Sequence, residues 1–284
     1  MRYSRWVLVG LLGCGWARAQ SSWQERLVGH PLYLRGAWVG PVLEFDGAGR
    51  PLHDAPAGAL TLSGVDVQSL AVHGSRMQIQ GYRVMLVADD GGVLQRRNQT
   101  STTELFLTYR KTYESRDAVK ITLHADAAGS FGAALAAVFA DGLADLAVSV
   151  PPAWSCYAQA YFPGSLAKAA AEQQVDACVR RKGAGIEAGS NGVSYPKMEA
   201  PLQVRGTREG ARSRLEGESC IHFSVGAHGV PLRLQVVRAV GAGMDEMVLQ
   251  ALSASRFEPA MRDGKAVPAD MEFTMQFHPP QAER

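Results

Sequence analysis

Met271-Glu272-Phe273-Thr274-Met275-Gln276-Phe277-His278 alternates apolar and polar residues without a break. A period of two puts Met271, Phe273, Met275 and Phe277 on one face of a β-strand and Glu272, Thr274, Gln276 and His278 on the other. Two upstream runs share the pattern. Within Ser219–Val225, Ile221, Phe223 and Val225 alternate with His222 and Ser224, and further on Leu232, Leu234 and Val236 alternate with Arg233 and Gln235. Gly226–Pro231 lies between them as a turn, so the two runs read as an antiparallel hairpin. After Gly241-Ala242-Gly243, Met244, Met247, Val248, Ala251 and Leu252 recur at helical spacing over 244–255. Asp245-Glu246 fall in the first turn of that helix, where its dipole favours negative charge. Asp263-Gly264 is a turn signal before the last strand. The order is strand, strand, helix, strand.

Residues at fixed places in this order carry a resemblance. They are Ala211-Arg212, Glu216-Gly217, Phe223, Val225, Gly229, Val236, Gly241, Asp245, Ala251-Leu252, Arg256-Phe257-Glu258-Pro259-Ala260, Gly264, Val267 and Phe277. With them, the stretch from roughly 196 to 278 resembles the C-terminal domain of TonB, which connects the inner membrane of diderm bacteria to outer-membrane transporters. The Arg-Phe-x-Pro-Ala stretch after the helix is its most specific part. The resemblance implies a small αβ domain whose final strand presents a free edge to an extended peptide of a transporter. Glu272, Thr274, Gln276 and His278, turned away from the helix, are then the candidate partner-binding residues. A polar face followed by Pro279-Pro280 also fits an edge blunted against aggregation. The family's energy transducers carry an N-terminal membrane helix and a long Pro-rich span. This sequence has neither pattern, so what the resemblance implies here is peptide capture.

At the other end, Arg2 and Arg5 precede an apolar run from Trp6 to Trp16, and Ala17-Arg18-Ala19 supplies small residues where a signal peptidase reads them. Residues 1–19 therefore read as a cleaved signal ending at Ala19. A spanning helix needs about 20 apolar residues, so no integral membrane segment is expected after processing. Leu11-Leu12-Gly13-Cys14 is the competing lipoprotein reading, with Leu12 a poor fit before the glycine. Either way the protein is exported, and a periplasmic location is expected. The chain has 29 basic and 27 acidic residues, and removing the signal leaves 26 against 27. A near-neutral chain without a basic stripe lacks the electrostatic footprint of a nucleic-acid binder. In an oxidising compartment disulfides persist. Of the cysteines left, Cys156 and Cys178 are paired in this reading, a closure worth about 3 kcal/mol in the chain-entropy model. Three reduced thiols are the alternative. Cys220, opposite the core face of its strand, is expected to be accessible.

From Leu32 to His124, β-rich runs are separated by turn signals: Leu32–Arg35, Trp38–Phe45, Ala59–Leu62, Val65–His73, Met77–Val87, Glu104–Tyr109 and Val119–His124. Asp46-Gly47-Ala48-Gly49 and Asp89-Asp90-Gly91-Gly92 read as hairpin turns, and the sheet as antiparallel with no crossover helix. Phe131–Ala140 reads as a short buried helix covering one sheet face. Leu166–Lys182 is a longer helix stopped by Gly183, with Arg180-Arg181-Lys182 complementing its dipole. Gly183, Gly185, Gly189 and Gly192 mark a linker over 183–194. The expected class is α+β: a β-rich domain over 20–182 with a helical cover, the linker, a TonB C-terminal-like domain over 195–278 and a tail over 279–284.

Other chemical signals are weak. Gly241-Ala242-Gly243 does not make a dinucleotide loop, because Glu246 stands where the third glycine belongs and the parallel βαβ context is missing. The histidines lack metal-ligand spacing, with His53 and His124 standing alone. Ala128-Gly129-Ser130-Phe131-Gly132 lacks the first glycine of a nucleophile elbow. Asp89-Asp90 reads as a turn rather than a paired-carboxylate site, and Trp38 and Trp154 as core aromatics rather than a ligand groove. No cofactor and no enzymatic activity are expected. The leading reading is an exported adaptor that binds a protein partner, an outer-membrane transporter, by strand addition in the service of transmembrane transport. An envelope enzyme using the TonB-like part as a tether, and a structural protein that pairs with itself as a homodimer, are the alternatives.

Overall fold

The computed structural model describes residues 22–106 and 110–279. The expected signal segment 1–19, with Ala19 and Cys14, and the tail from 280 onward lie outside the described residues. A short helix α1 over 22–27 leads into β1 (Pro31–Leu34), β2 (Val42–Phe45), β3 (Gly64–His73), β4 (Arg76–Ala88) and β5 (Leu94–Asn98). A hairpin of β6 (Thr100–Phe106) and β7 (Arg110–Arg116) precedes β8 (Ala118–His124), and β9 (Phe139–Ala140) follows later. Seven of these strands form one sheet in the order β2-β8-β4-β3-β1-β9, with β5 also on β4.

This half departs from the expected antiparallel meander in several places. β2 and β8 pair in parallel, Val42 opposite Lys120. The Asp46 turn returns the chain only to a single bridge between Phe45 and Pro51, so β2 finds its ladder partner far along the chain. Leu60–Leu62 is a 3-10 turn rather than a strand. Its Thr61 hydroxyl accepts the Gly243 N–H at 2.8 Å, a contact from the other half that outweighs local β-propensity. The short buried helix is α2 (Gly132–Val138). Phe139 and Ala140 leave it to pair with Leu34 and Tyr33. α3 (Leu143–Leu146) and a 3-10 turn at Pro152–Trp154 lead into α4 (Ser155–Tyr161). α5 spans Lys168–Lys182. β5 and β7 escape a hydrophobic reading because Leu-Gln-Arg-Arg-Asn and Arg-Lys-Thr-Tyr-Glu-Ser-Arg offer almost no apolar alternation.

The C-terminal half follows its periodicity closely. Its elements are β10 (Lys197–Met198), α6 (Arg208–Arg212), β11 (Gly217–Val225), β12 (Pro231–Arg238) and α7 (Met244–Ala254), then β13 (Phe257–Glu258), β14 (Ala260–Arg262), β15 (Lys265–Val267) and β16 (Ala269–Phe277). β12, β11 and β16 form a three-stranded antiparallel sheet in that order, while β10 pairs with β13 and β14 with β15. Val248 and Leu252 of α7 bury completely against Ile221, Phe223, Val225 and Val236. Burying side chains of this size is worth about 1.5–3 kcal/mol each as an upper bound. The molecule is α+β, and among the described residues no helix is long and apolar enough to cross a membrane.

The two halves share one core. Trp154, Tyr157, Val175 and Cys178 belong to the same buried cluster as Phe223, Val236 and Leu252. Backbone joins them as well: Ala88 N–H donates to Val240 O at 3.0 Å and Ala242 N–H to Leu86 O at 2.8 Å, a miniature ladder around Gly241.

Candidate partner-binding edge

β16 earns its place at the sheet's rim through its pairing. It runs against β11 without a register shift, from Gly217 opposite Phe277 to Val225 opposite Ala269, and among the described residues no full strand lies on its other side. In an antiparallel pair, successive residues turn their backbone groups alternately toward and away from the neighbour. Asp270 fixes the phase. Its N–H donates to Ile186 O at 2.6 Å and its C=O accepts the Ala188 N–H at 2.9 Å, both away from β11. Glu272, Thr274 and Gln276 share that parity, so their N–H and C=O groups also point away from the sheet. Met271, Phe273, Met275 and Phe277 bond to β11.

The side chains divide as the alternation requires. Met271, Phe273 and Met275 are half-buried against the core beneath α7, and Phe277 is buried. Glu272, Thr274 and Gln276 are exposed on the opposite face. Gln276 donates to the Glu218 carboxylate, which also pairs with Arg238. His278 lies beyond the strand with Nδ1 4.0 Å from a Glu216 oxygen, so it does not belong to the edge.

Toward the other edge of the sheet, the face that carries these polar residues is covered, which the sequence did not reveal. α4 and α5 lie over β12. Ser155 Oγ donates to Gln235 Oε1 at 3.0 Å, and Gln235 Nε2 donates to Pro152 O at 2.9 Å. Cys220, expected to be accessible, is buried instead. Burial and then the neighbouring Glu272 carboxylate push its thiol up to about 11, so it is a poor thiolate at neutral pH. Cys156 and Cys178 are bonded, with Cα atoms 5.6 Å apart, and tie α4 to α5.

The stretch 183–194 lies against the edge strand. Ala184 and Gly185 N–H groups donate to the Asp270 carboxylate at 2.7 and 2.8 Å, and the Ser224 hydroxyl donates to it at 2.5 Å. On α7, Asp245 is buried and accepts the N–H groups of Val240 and Gly241, and burial raises its pKa. The Glu246 carboxylate faces Thr61, accepting from its N–H at 3.4 Å and its hydroxyl at 3.3 Å. Burial and the Asp245 charge push Glu246 up to about 7.

The family described as Gram-negative bacterial TonB protein C-terminal matches residues 208–279. The C-terminal unit is of the TonB C-terminal kind. The match starts in α6 and ends just past β16, so it takes in the hairpin, α7 and the edge strand. A solution structure of the Pseudomonas aeruginosa TonB C-terminal domain is 21% identical, with 34% of this chain and 94% of that chain covered and a TM-score of 0.25. No curated protein matches the chain.

Outside the TonB-like unit, the other sequence candidates fall into ordinary roles. Asp89 closes its turn by accepting the Gly91 and Val93 N–H groups at 2.8 and 2.9 Å. Trp154 is buried in the core, and Trp38 packs on Phe45 with ring centroids 4.7 Å apart. His53 and His124 do not stand alone. Their Nε2 atoms lie 3.1 and 2.6 Å from the two oxygens of Glu44, a grouping that crosses strands and leaves no trace in spacing. Among the described residues no group of three or more His, Cys, Asp or Glu is arranged to hold a metal ion.

Proposed function

We propose that this chain is an exported, periplasmic TonB-like adaptor that captures an extended segment of an outer-membrane transporter by adding it as a strand to β16. One observation carries the reading: β16 ends its sheet and turns the N–H and C=O groups of Glu272, Thr274 and Gln276 outward. Unpaired edge groups of this kind are a template for a further strand. The similarity of residues 208–279 to the TonB C-terminal family supports the choice of partner. Export rests on the signal pattern of residues 1–19. Backbone bonds supply affinity, and the side chains flanking the edge supply selectivity. The role is binding, with no catalytic step.

Proline at position 274 tests it. Because the Thr274 N–H faces away from β11, Thr274→Pro removes a donor from the partner and none from the sheet. Phe273→Pro, by contrast, takes a donor from the β11 ladder and lowers the unfolding midpoint. Cross-linking from position 274 in intact cells, with the captured protein identified by mass, should yield an outer-membrane transporter that is lost in a folded Thr274→Pro variant. A product of twice the chain mass would mean self-pairing. Unchanged capture by folded Thr274→Pro would sink the proposal.

A further inference from the structure

Building on the strand-addition reading, we propose that residues 186–188 are an end-stop on β16 that confines an incoming strand to the rungs Glu272, Thr274 and Gln276. The site then takes a short segment with apolar and polar residues in alternation and a basic residue at the end near Glu272. The first rung of the free edge is already filled from within the chain. Glu187 bridges Asp270 in parallel, with Ile186 O accepting and Ala188 N–H donating. This short strap is held from below. The Asp270 carboxylate accepts from Ala184, Gly185 and Ser224, and a Cβ on Gly183 would sit 2.4 Å from Asp270 Oδ2. Ala188 and Val193 are buried with Ala260 and Ala269. Peeling the strap away would strip a buried carboxylate of two backbone donors and reopen that small core, so a partner strand stops against it. At the far end the strand itself stops at Phe277.

Between these limits lie residues 272–276, roughly 17 Å of edge at about 3.4 Å per residue. The sheet is antiparallel, and an antiparallel addition makes Glu272, Thr274 and Gln276 hydrogen-bonded pairs. Residues opposite Phe273 and Met275 then fall in the closer, non-bonded pairs on the α7 side, where apolar side chains extend the core. The residue opposite Glu272 meets a carboxylate on the exposed face, which favours Lys or Arg there.

Two synthetic peptides on the full chain test the end-stop: acetyl-Thr-Val-Thr-Val-Lys-amide, and a nine-residue version continued by Val-Thr-Val-Thr past the lysine. Amide exchange is read residue by residue by NMR. In the free protein the Asp270 amide should exchange at least about tenfold more slowly than those of Glu272, Thr274 and Gln276. Both peptides should slow those three amides, bind with equal affinity and leave Asp270 and Ala188 unchanged. In Asp270→Asn, and independently in Ala188→Pro, which removes the strap's donor while keeping the carboxylate anchors, the longer peptide should bind about tenfold more tightly than the shorter. Tighter binding of the longer peptide to the unmodified chain, with lost protection at Ala188, overturns the end-stop while strand addition stands. If neither peptide slows any of the three amides, strand addition itself fails and the end-stop falls with it.

Discussion

Replacing Gly241 by alanine should loosen the junction between the two halves as well as the turn that holds it. Gly241 has φ +92°, and a Cβ there would meet Leu86 O at 2.2 Å and Val87 Cα at 2.8 Å. Those atoms are backbone of a central strand and cannot swing aside. The left-handed conformation costs an alanine about 1 kcal/mol. Overpacking against fixed backbone adds about 1–3 kcal/mol. If the halves part to relieve the overlap, the bonds from Ala88 N–H to Val240 O and from Ala242 N–H to Leu86 O go with it, at about 1 kcal/mol each. Whichever way the overlap is met, the loss is about 2–4 kcal/mol, a sizeable share of the roughly 5–15 kcal/mol that holds a domain together. Gly264→Ala is the control: its φ is +74° with nothing within 4 Å of the added atom, so only the conformational cost applies. Urea unfolding followed by tryptophan fluorescence and by far-ultraviolet circular dichroism separates the outcomes. The described tryptophans, Trp23, Trp38 and Trp154, all lie in the N-terminal half. Gly241→Ala should lower the midpoint several-fold more than Gly264→Ala and split the two signals into separate transitions as the halves unfold apart. Equal losses from the two substitutions would show that the Leu86–Ala88 ladder does not couple the halves.

Reducing the Cys156–Cys178 bridge, which spans 22 residues, should cost about 3 kcal/mol, measured as a lowered urea midpoint with dithiothreitol and matched by the double serine variant. Cys220 should resist a thiol reagent at pH 8 until denaturant is added, because it is buried with its thiol pushed up to about 11; rapid labelling of the folded chain would contradict its placement. Glu246 is held near 7 in the folded chain against 4.5 for a free glutamate. Its protonated form therefore stabilises fully below about pH 4.5, and that contribution is lost as pH rises through about 7, on the order of 1–3 kcal/mol for a carboxyl that is partly solvent-exposed. Glu246→Gln should flatten this fall between pH 5 and pH 8 in urea midpoints, and an unchanged slope would assign it to another group.

The strands and the helix of the C-terminal unit were legible because their signals are local. Alternation over 271–277 and helical spacing over 244–252 follow from the geometry of the chain itself, and a buried face punishes any slip of register. The Asp89 turn was legible for the same reason, since the side chain bonds within four residues of itself. The extended pair Phe139-Ala140, the 3-10 turn at Leu60–Leu62 and the parallel pairing of β2 with β8 were not legible. Each is decided by a partner far along the chain rather than by neighbouring residues. The fate of the polar face of β11 belongs with them: periodicity separates Cys220 from Ile221 and Phe223, but only tertiary packing determines that Cys220 meets protein instead of water. The candidate edge divides in the same way. Which residues of β16 alternate was in the sequence. That their outward rungs begin only at Glu272 was decided by a Gly-rich segment folding back onto Asp270, where small residues let backbone N–H groups reach a carboxylate that sequence spacing does not connect to them.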